Sequence, residues 1–266
     1  MSLGSTILKV VTVVFGVATV GFIMAEPGGH VEIPQTVKWS FDGFFGSFDR
    51  KDLRHGFQVY SEVCSGCHSM NLESYRNLED IGFTPDEVAA IAAKVQVQNE
   101  DPNDQGEMFE RPGKPSDHFK APFPNEQAAR AANNGALPPD MSLLAKSRAG
   151  KGFGGYNGAD YIYALMHGYK DAPADLKLNP GMNYNAYFKG HQIGMPQPLS
   201  DNSVTYADGT PATLDEEAKD IATFLTWVAE SNLEQRKHTG LKAMLFLVAF
   251  TLLAYAAKRK VWKHIH

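Results

Sequence analysis

The sequence predicts a mostly α-helical domain with long irregular loops, followed by a C-terminal transmembrane helix. Three observations carry that prediction. Helix-start signals precede apolar residues at helical spacing in three places, segments rich in Pro, Gly and Asn lie between them, and an apolar run near the C-terminus ends in a cluster of bases.

Residues 1–25 stand apart. Behind Lys9, the run Val10 to Ala25 is apolar and ends on a small residue before Glu26-Pro27, which reads as a signal peptide or a retained N-terminal apolar anchor. Residues 26–238 form the domain. Its first helix is capped by Asp49 and carries Leu53, Phe57 and Tyr60 toward Cys64. Thr84-Pro85-Asp86-Glu87 is a capping box with proline at the first helical position, and predicts a second helix that runs to Val97. Thr213-Leu214-Asp215-Glu216 repeats the signature before the stripe Ile221, Phe224, Leu225 and Val228. No proline interrupts the chain from Ala212 to His266, so this third helix is expected to continue into the anchor with little break. Gly56 would let the first helix approach the last one closely. Asn99 to Pro124, Gly150 to Gly158 and Asp171 to Gly209 are expected to be irregular, and that much loop needs something to wrap.

Residues 239–257 are assigned to the transmembrane helix and 258–266 to a basic tail. The apolar run Leu241 to Ala257 is about 17 residues and about 26 Å long as a helix, at the short end for a bilayer. Lys242 can snorkel, and Tyr255 and Trp262 suit an interface. A buried core helix would not end in Lys258-Arg259-Lys260. With Lys263 these bases favour a cytoplasmic or matrix-side tail, against the weaker counter-signal of Arg236, Lys237 and Lys242.

The net charge of -5 averages two unlike regions. His30 to His238 holds 29 acidic and 19 basic residues, a balance of -10, while the flanks hold six bases and one acid. An acidic domain favours a basic partner and disfavours nucleic acid, although charge of this sign also serves solubility alone.

Cysteine occurs only in Cys64-Ser-Gly-Cys67-His68, the attachment signature of a c-type haem. Two thiols on one helical turn can each add to a haem vinyl group, and His68 then falls beneath the iron as proximal ligand. A zinc site needs a second Cys or His pair, a thioredoxin-type pair needs a βαβ setting, and a disulfide across so short a loop would constrain little. The domain is therefore expected to be a c-type cytochrome domain carrying one haem c. Thioether attachment takes place outside the cytoplasm, which places residues 26–238 in a periplasm or an intermembrane space. A sixth ligand must come from the remaining Met and His residues. Met195 leads, in the loop Gly190-His-Gln-Ile-Gly-Met195-Pro-Gln-Pro198, because a thioether stabilises reduced iron. Met141, Met166 and Met182 stay open, Met141 and Met166 at helical positions that more often mean core. His191 is the nitrogen rival, and His55, His118 and His167 read as surface or structural.

The chain also resembles the cytochrome c1 family, the haem subunit of quinol:cytochrome c reductase, from about Trp39 to Trp262. The stretches that carry the resemblance are Arg54-His-Gly-Phe-Gln-Val-Tyr60, Gly106-Glu-Met-Phe-Glu-Arg-Pro-Gly-Lys114, Ala131-Ala-Asn-Asn-Gly-Ala-Leu-Pro-Pro-Asp140, Ile193-Gly-Met-Pro196 and Asp208-Gly-Thr-Pro-Ala-Thr213. The resemblance implies Met195 as distal ligand, Arg148 paired with a haem propionate, Tyr161 lining the pocket near it and Pro139 packed by the haem. It implies electron transfer from a Rieske iron-sulfur protein to a soluble or tethered cytochrome c, with no substrate-turnover site in this subunit. Its implied partners are cytochrome b, the Rieske protein, cytochrome c and the lipid bilayer, within a dimeric complex. Glu107, Glu110 and Asp117 are candidate docking acids. The stretch Lys151 to Gly158 reads as an insertion relative to many members, and the second cysteine pair of some bacterial members is absent. A bacterial inner membrane is the expected location, with a mitochondrial inner membrane as the alternative. A haem subunit of a terminal oxidase, and a membrane-anchored haem gas sensor or peroxidase, are the alternative functions.

Overall fold

The computed structural model describes residues 31–99, 101–150 and 156–263. The signal-or-anchor assignment for residues 1–25 therefore lies outside the described residues. So does most of the proposed insertion.

Helix α1 spans Arg50–Val59 and starts where expected, with the Asp49 carboxylate accepting from the Lys51 N–H at 2.8 Å. It does not stay α-helical to the motif. Tyr60–Cys64 widens into a π-turn in which the Ser65 N–H reaches the Tyr60 carbonyl at 2.8 Å. A 3-10 helix, Tyr75–Ile81, leads to α2, Pro85–Ala93, whose capping box is complete: Glu87 N–H donates to the Thr84 hydroxyl and Thr84 N–H to the Glu87 carboxylate. The predicted extension of this helix to Val97 is incorrect. It ends at Ala93, and β1, Gln96–Gln98, pairs antiparallel with β2, Glu110–Pro112. The Gly113 N–H takes the Val95 carbonyl at 2.9 Å, so β2 and the residue after it claim backbone groups that a longer helix would have used.

Three further helices were not evident in the sequence: α3, Glu126–Ala132; α4, Leu144–Ser147; and α5, Gly158–His167. Asn157 caps α5 and forms a capping box with Asp160, so the end of the proposed 151–158 insertion is in fact the start of a helix. A second small hairpin pairs β3, Asn183–Tyr184, with β4, Gln192–Ile193. Helix α6, Leu214–Ala229, begins at Thr213 as expected. The chain then turns through residues 230–232 before α7, Leu233–Trp262. No proline forces this break; Glu230 leaves the helical path and is held by Arg236 and Lys146.

The core forms where α1 crosses α6. A Cβ on Gly56 would lie 2.2 Å from the Asp220 carbonyl and 2.5 Å from Phe224 Cβ, so only glycine permits this approach. Leu53, Val59, Phe224 and Leu225 are buried around the crossing, and the rings of Phe57 and Tyr60 meet Phe119 and Phe224 at 5.9–6.2 Å between centroids. Helix α5 packs on the other side of α6. Its buried Asp160 carboxylate fastens the N-terminal segment by accepting from Val37 N–H at 2.9 Å and Trp39 Nε1–H at 2.8 Å. Beyond Leu241, α7 leaves the domain. It is long and apolar enough to cross a membrane, and none of its most apolar stretch is buried.

Candidate functional site

The π-turn delivers Cys64, half-buried against the core, and the next turn presents Cys67 to solvent; the two thiols are not joined. The His68 N–H closes that turn on the Cys64 carbonyl at 2.9 Å. Its imidazole is buried, and Nδ1–H donates to the Pro139 carbonyl at 2.8 Å. That bond selects the tautomer whose Nε2 carries a lone pair, the form that ligates a metal. Burial holds the His68 pKa below the usual histidine value, against the opposing pull of the Pro139 bond and Asp140, so the ring is neutral and available.

Segments 69–72 and 139–142 hold this arrangement from behind. The Asp140 carboxylate accepts from the Ser69 hydroxyl at 2.8 Å, Asn71 N–H at 2.9 Å and Ser142 N–H at 2.8 Å, and Met141 N–H reaches the Ser69 carbonyl. Burial alone would raise the Asp140 pKa, but these donors outweigh it and hold the carboxyl below its ordinary value. None of these contacts carries a signal in the sequence.

A second group forms at the β3–β4 hairpin. The Met195 carbonyl accepts from the Tyr169 hydroxyl at 3.2 Å and the Asn183 amide at 3.3 Å, and its side chain lies against the same core that Cys64 touches. Tyr169 interacts with Tyr161, which in turn interacts with Arg148 at the end of α4 and stacks near Tyr156. Burial raises the Tyr161 pKa, and the positive charge of Arg148 opposes that rise. The α4–α5 junction that brings them together needs Gly158, because a Cβ there would fall 1.6 Å from the Ala145 carbonyl.

The two groups meet through the stretch that precedes Pro139. A Cβ on Gly194, beside Met195, would lie 2.9 Å from Ala136 Cβ, while Pro139 three residues later holds His68. Cys64, Cys67, His68 and Pro139 thus form one group, the Met195 loop approaches it through Gly194 and Ala136, and Arg148 and Tyr161 lie at the end of α4 and in α5. Pro139 acts through its carbonyl on His68, a role that the sequence did not reveal.

The rival ligands stand in other settings, and Met182 stays open, 36% exposed with its sulfur near Gly194. His191, in a left-handed turn at φ 57, is buried with Nδ1 against the Asn185 carbonyl at 3.2 Å and its ring stacked on Tyr184. Met141 and Met166 are buried in the core, although Met141 lies before α4 rather than in a helix. His55 is buried between Asp208 and Asp220, and His118 and His167 bond backbone carbonyls. Among the candidate docking acids, Asp117 is not a free charge. Both its oxygens take Arg111, and those bonds lead its pKa down to about 2. Glu107 and Glu110 are exposed.

The residues present fit a haem c. They offer two thiols one turn apart, an imidazole with its Nδ1 anchored and a thioether in the loop that meets the Ala136–Pro139 segment. A groove of about 1100 Å³ runs along α1 and borders Ser65 and Gly66, but neither His68 nor Met195 lines it. Donor chemistry therefore marks the site better than cavity size does.

Comparison with known proteins agrees. Residues 39–265 match the model of the Cytochrome C1 family. The chain is 46% identical to the cytochrome b/c1 protein of Bradyrhizobium diazoefficiens over 88% of its own length, and spans 36% of that larger protein. It is 45% identical to the mitochondrial heme protein cytochrome c1-2 of Solanum tuberosum, covering 92% of this chain and 90% of the relative. Against cytochrome c1 of Rhodospirillum rubrum it is 42% identical, covering 98% and 99%. With a family match across most of its length and relatives of this similarity, the chain belongs to the cytochrome c1 family.

Proposed function

We propose that the chain carries one covalently bound haem c and passes single electrons from a Rieske iron-sulfur protein to a soluble or tethered cytochrome c within the cytochrome bc1 complex. One observation carries this reading most directly: the imidazole that follows the only two cysteines is oriented by the Pro139 carbonyl, at the end of an Ala136–Pro139 segment that meets Gly194, the neighbour of Met195. When bound, the haem supplies a one-electron iron couple.

Cys64 and Cys67 would hold that group through thioether bonds. His68 would offer Nε2 as a ligand, its orientation set by the Pro139 carbonyl. Met195 would offer its sulfur, its backbone fixed by Tyr169 and Asn183, and a thioether favours the reduced state. Arg148 would neutralise a propionate, with Tyr161 and Tyr169 limiting water near it. The subunit turns over no substrate of its own; it supplies ligands, burial and position. The fused name of the Bradyrhizobium relative supports cytochrome b as a partner, and both bacterial and mitochondrial relatives fit a haem domain outside the cytoplasm, in a bacterial periplasm or an intermembrane space. Helix α7 would anchor that domain in the inner membrane.

Replacing Met195 with Leu tests the reading. Haem should remain attached, its midpoint potential should fall by a sizeable fraction of the roughly 0.8 V span open to axial ligation, and reductase activity should be lost. An unchanged potential would assign the sixth ligand elsewhere. Ready binding of carbon monoxide by the reduced wild-type protein would favour the sensor or peroxidase, and co-purification with an oxidase would favour the terminal-oxidase subunit.

A further inference from the structure

Two phenylalanines face outward from a domain that buries most of its aromatic side chains. Phe44 is 52% and Phe45 82% exposed, and their rings meet edge to face at 5.0 Å. Their exposure is built in. Trp39, Phe41 and Phe48 on either side are buried, with the Phe41 ring 5.6 Å from Trp39 and 4.9 Å from Phe48. The Ser47 N–H closes the loop on the Ser40 carbonyl at 3.1 Å, so fixing the flanks inward turns the tip outward. The one acid at the tip, Asp42, is directed back to the loop base, where it accepts from the Trp39 N–H.

The loop is fastened to the root of α7. The Lys237 ammonium donates to the carbonyls of Phe41 at 2.6 Å and Gly46 at 3.0 Å, and the Phe48 N–H donates to Glu234 at 2.7 Å. Phe44 and Phe45 share a crevice of about 60 Å³ with His238 and Leu241, and Leu241 opens the apolar run of the helix. The phenylalanines therefore stand at the level where α7 becomes apolar. That run, about 26 Å as a helix, is shorter than the roughly 30 Å hydrocarbon core, which draws the helix root and whatever is fastened to it toward the headgroups. From Met244 to Val248 every side chain is more than half exposed, so the domain claims no side of the helix at that depth.

We propose that the loop from Asp42 to Ser47 is a second membrane contact, with Phe44 and Phe45 seated in the interfacial layer of the lipid bilayer beside the root of α7. The inference rests on α7 spanning the membrane. A single helix leaves the domain free to tilt about its root; a second contact fixes tilt and height, and with them the reach of the haem site to its partners.

The test uses the full chain assembled in its membrane complex, with the photoreactive p-benzoylphenylalanine placed in turn at Phe45, at Val248 within α7, and at Leu72, which is 63% exposed but tied to Ser142 rather than to α7. After irradiation, the first two positions should gain the mass of one phospholipid and the third should not. Lipid at Val248 with a polypeptide adduct, or none, at Phe45 would overturn the loop contact and leave the membrane helix standing. Absence of lipid at both would overturn both. Labelling at Leu72 equal to that at Phe45 would also overturn the proposal, since exposure alone would then explain it.

Discussion

Asp220 shows how a single buried carboxyl can set a pH dependence. Burial pushes its pKa up to about 8, Asp52 and Glu216 add to the rise, and the Tyr206 hydroxyl, donating at 2.8 Å, works against it. Because the folded value lies above the ordinary 3.8, the folded state holds a proton that the unfolded state has released. Stability from this group is complete below about pH 4 and is lost as pH rises through about 8. His55 contributes in the opposite direction: burial lowers its pKa, so its share is lost as pH falls below the ordinary 6.5. Replacing Asp220 with Asn keeps an acceptor for Tyr206 and leaves His55 in place. Denaturant midpoints of this variant should lose the downward trend between about pH 5 and 8, with the gain over wild type largest at the alkaline end. Nothing in the sequence distinguishes Asp220 from the other acids of α6, since its environment comes from α1 and the 206–208 loop.

The α1–α6 crossing is an element-scale contact that a single methyl group can disturb. With the Asp220 carbonyl 2.2 Å from the position a Cβ would take, Gly56→Ala must push α6 away along several residues. Thermal unfolding should show a loss of about 1–3 kcal/mol, despite the better helix propensity of alanine. An unchanged or raised melting temperature would mean that the helices slide apart without cost. The caps of α1, α2 and α6 were legible because each is a local pattern: a side-chain oxygen just ahead of an apolar stripe. The seven-residue α3 and the four-residue α4 are too short to show a period. In α5 the box is built from Asn157 and Asp160 rather than Thr and Glu, and its apolar residues surround the helix instead of marking one face. The misplaced end of α2 and the π-turn before Cys64 have a common cause, because each depends on a partner distant in the chain or on a change of phase that leaves no mark in residue type.

For the whole molecule, the division between domain and anchor can be tested by removing one part. Residues 31–238 include the anchors of the domain on the root of α7, Glu234 and Lys237, while the helix beyond Leu241 buries none of its apolar length in the domain. A chain of residues 31–238, exported behind a cleavable signal and matured with haem, should therefore partition into the soluble fraction and unfold within a few degrees of the full chain in detergent. Aggregation or a large drop in melting temperature would show that α7 supports the domain directly. The balance of -10 over the domain should keep the released fragment soluble.

The sequence by itself determined the Cys64-Ser-Gly-Cys67-His68 motif, the apolar run of α7, the charge of the domain and three helix starts, because each is written in neighbouring residues or in overall composition. It also singled out Met195 by the chemistry of sulfur toward reduced iron. Only the tertiary structure decided that Pro139 orients His68 through its carbonyl and that Tyr169 and Asn183 hold the Met195 backbone. Those arrangements are hydrogen bonds and close approaches between residues tens of positions apart, and their energy depends on geometry that no local pattern encodes.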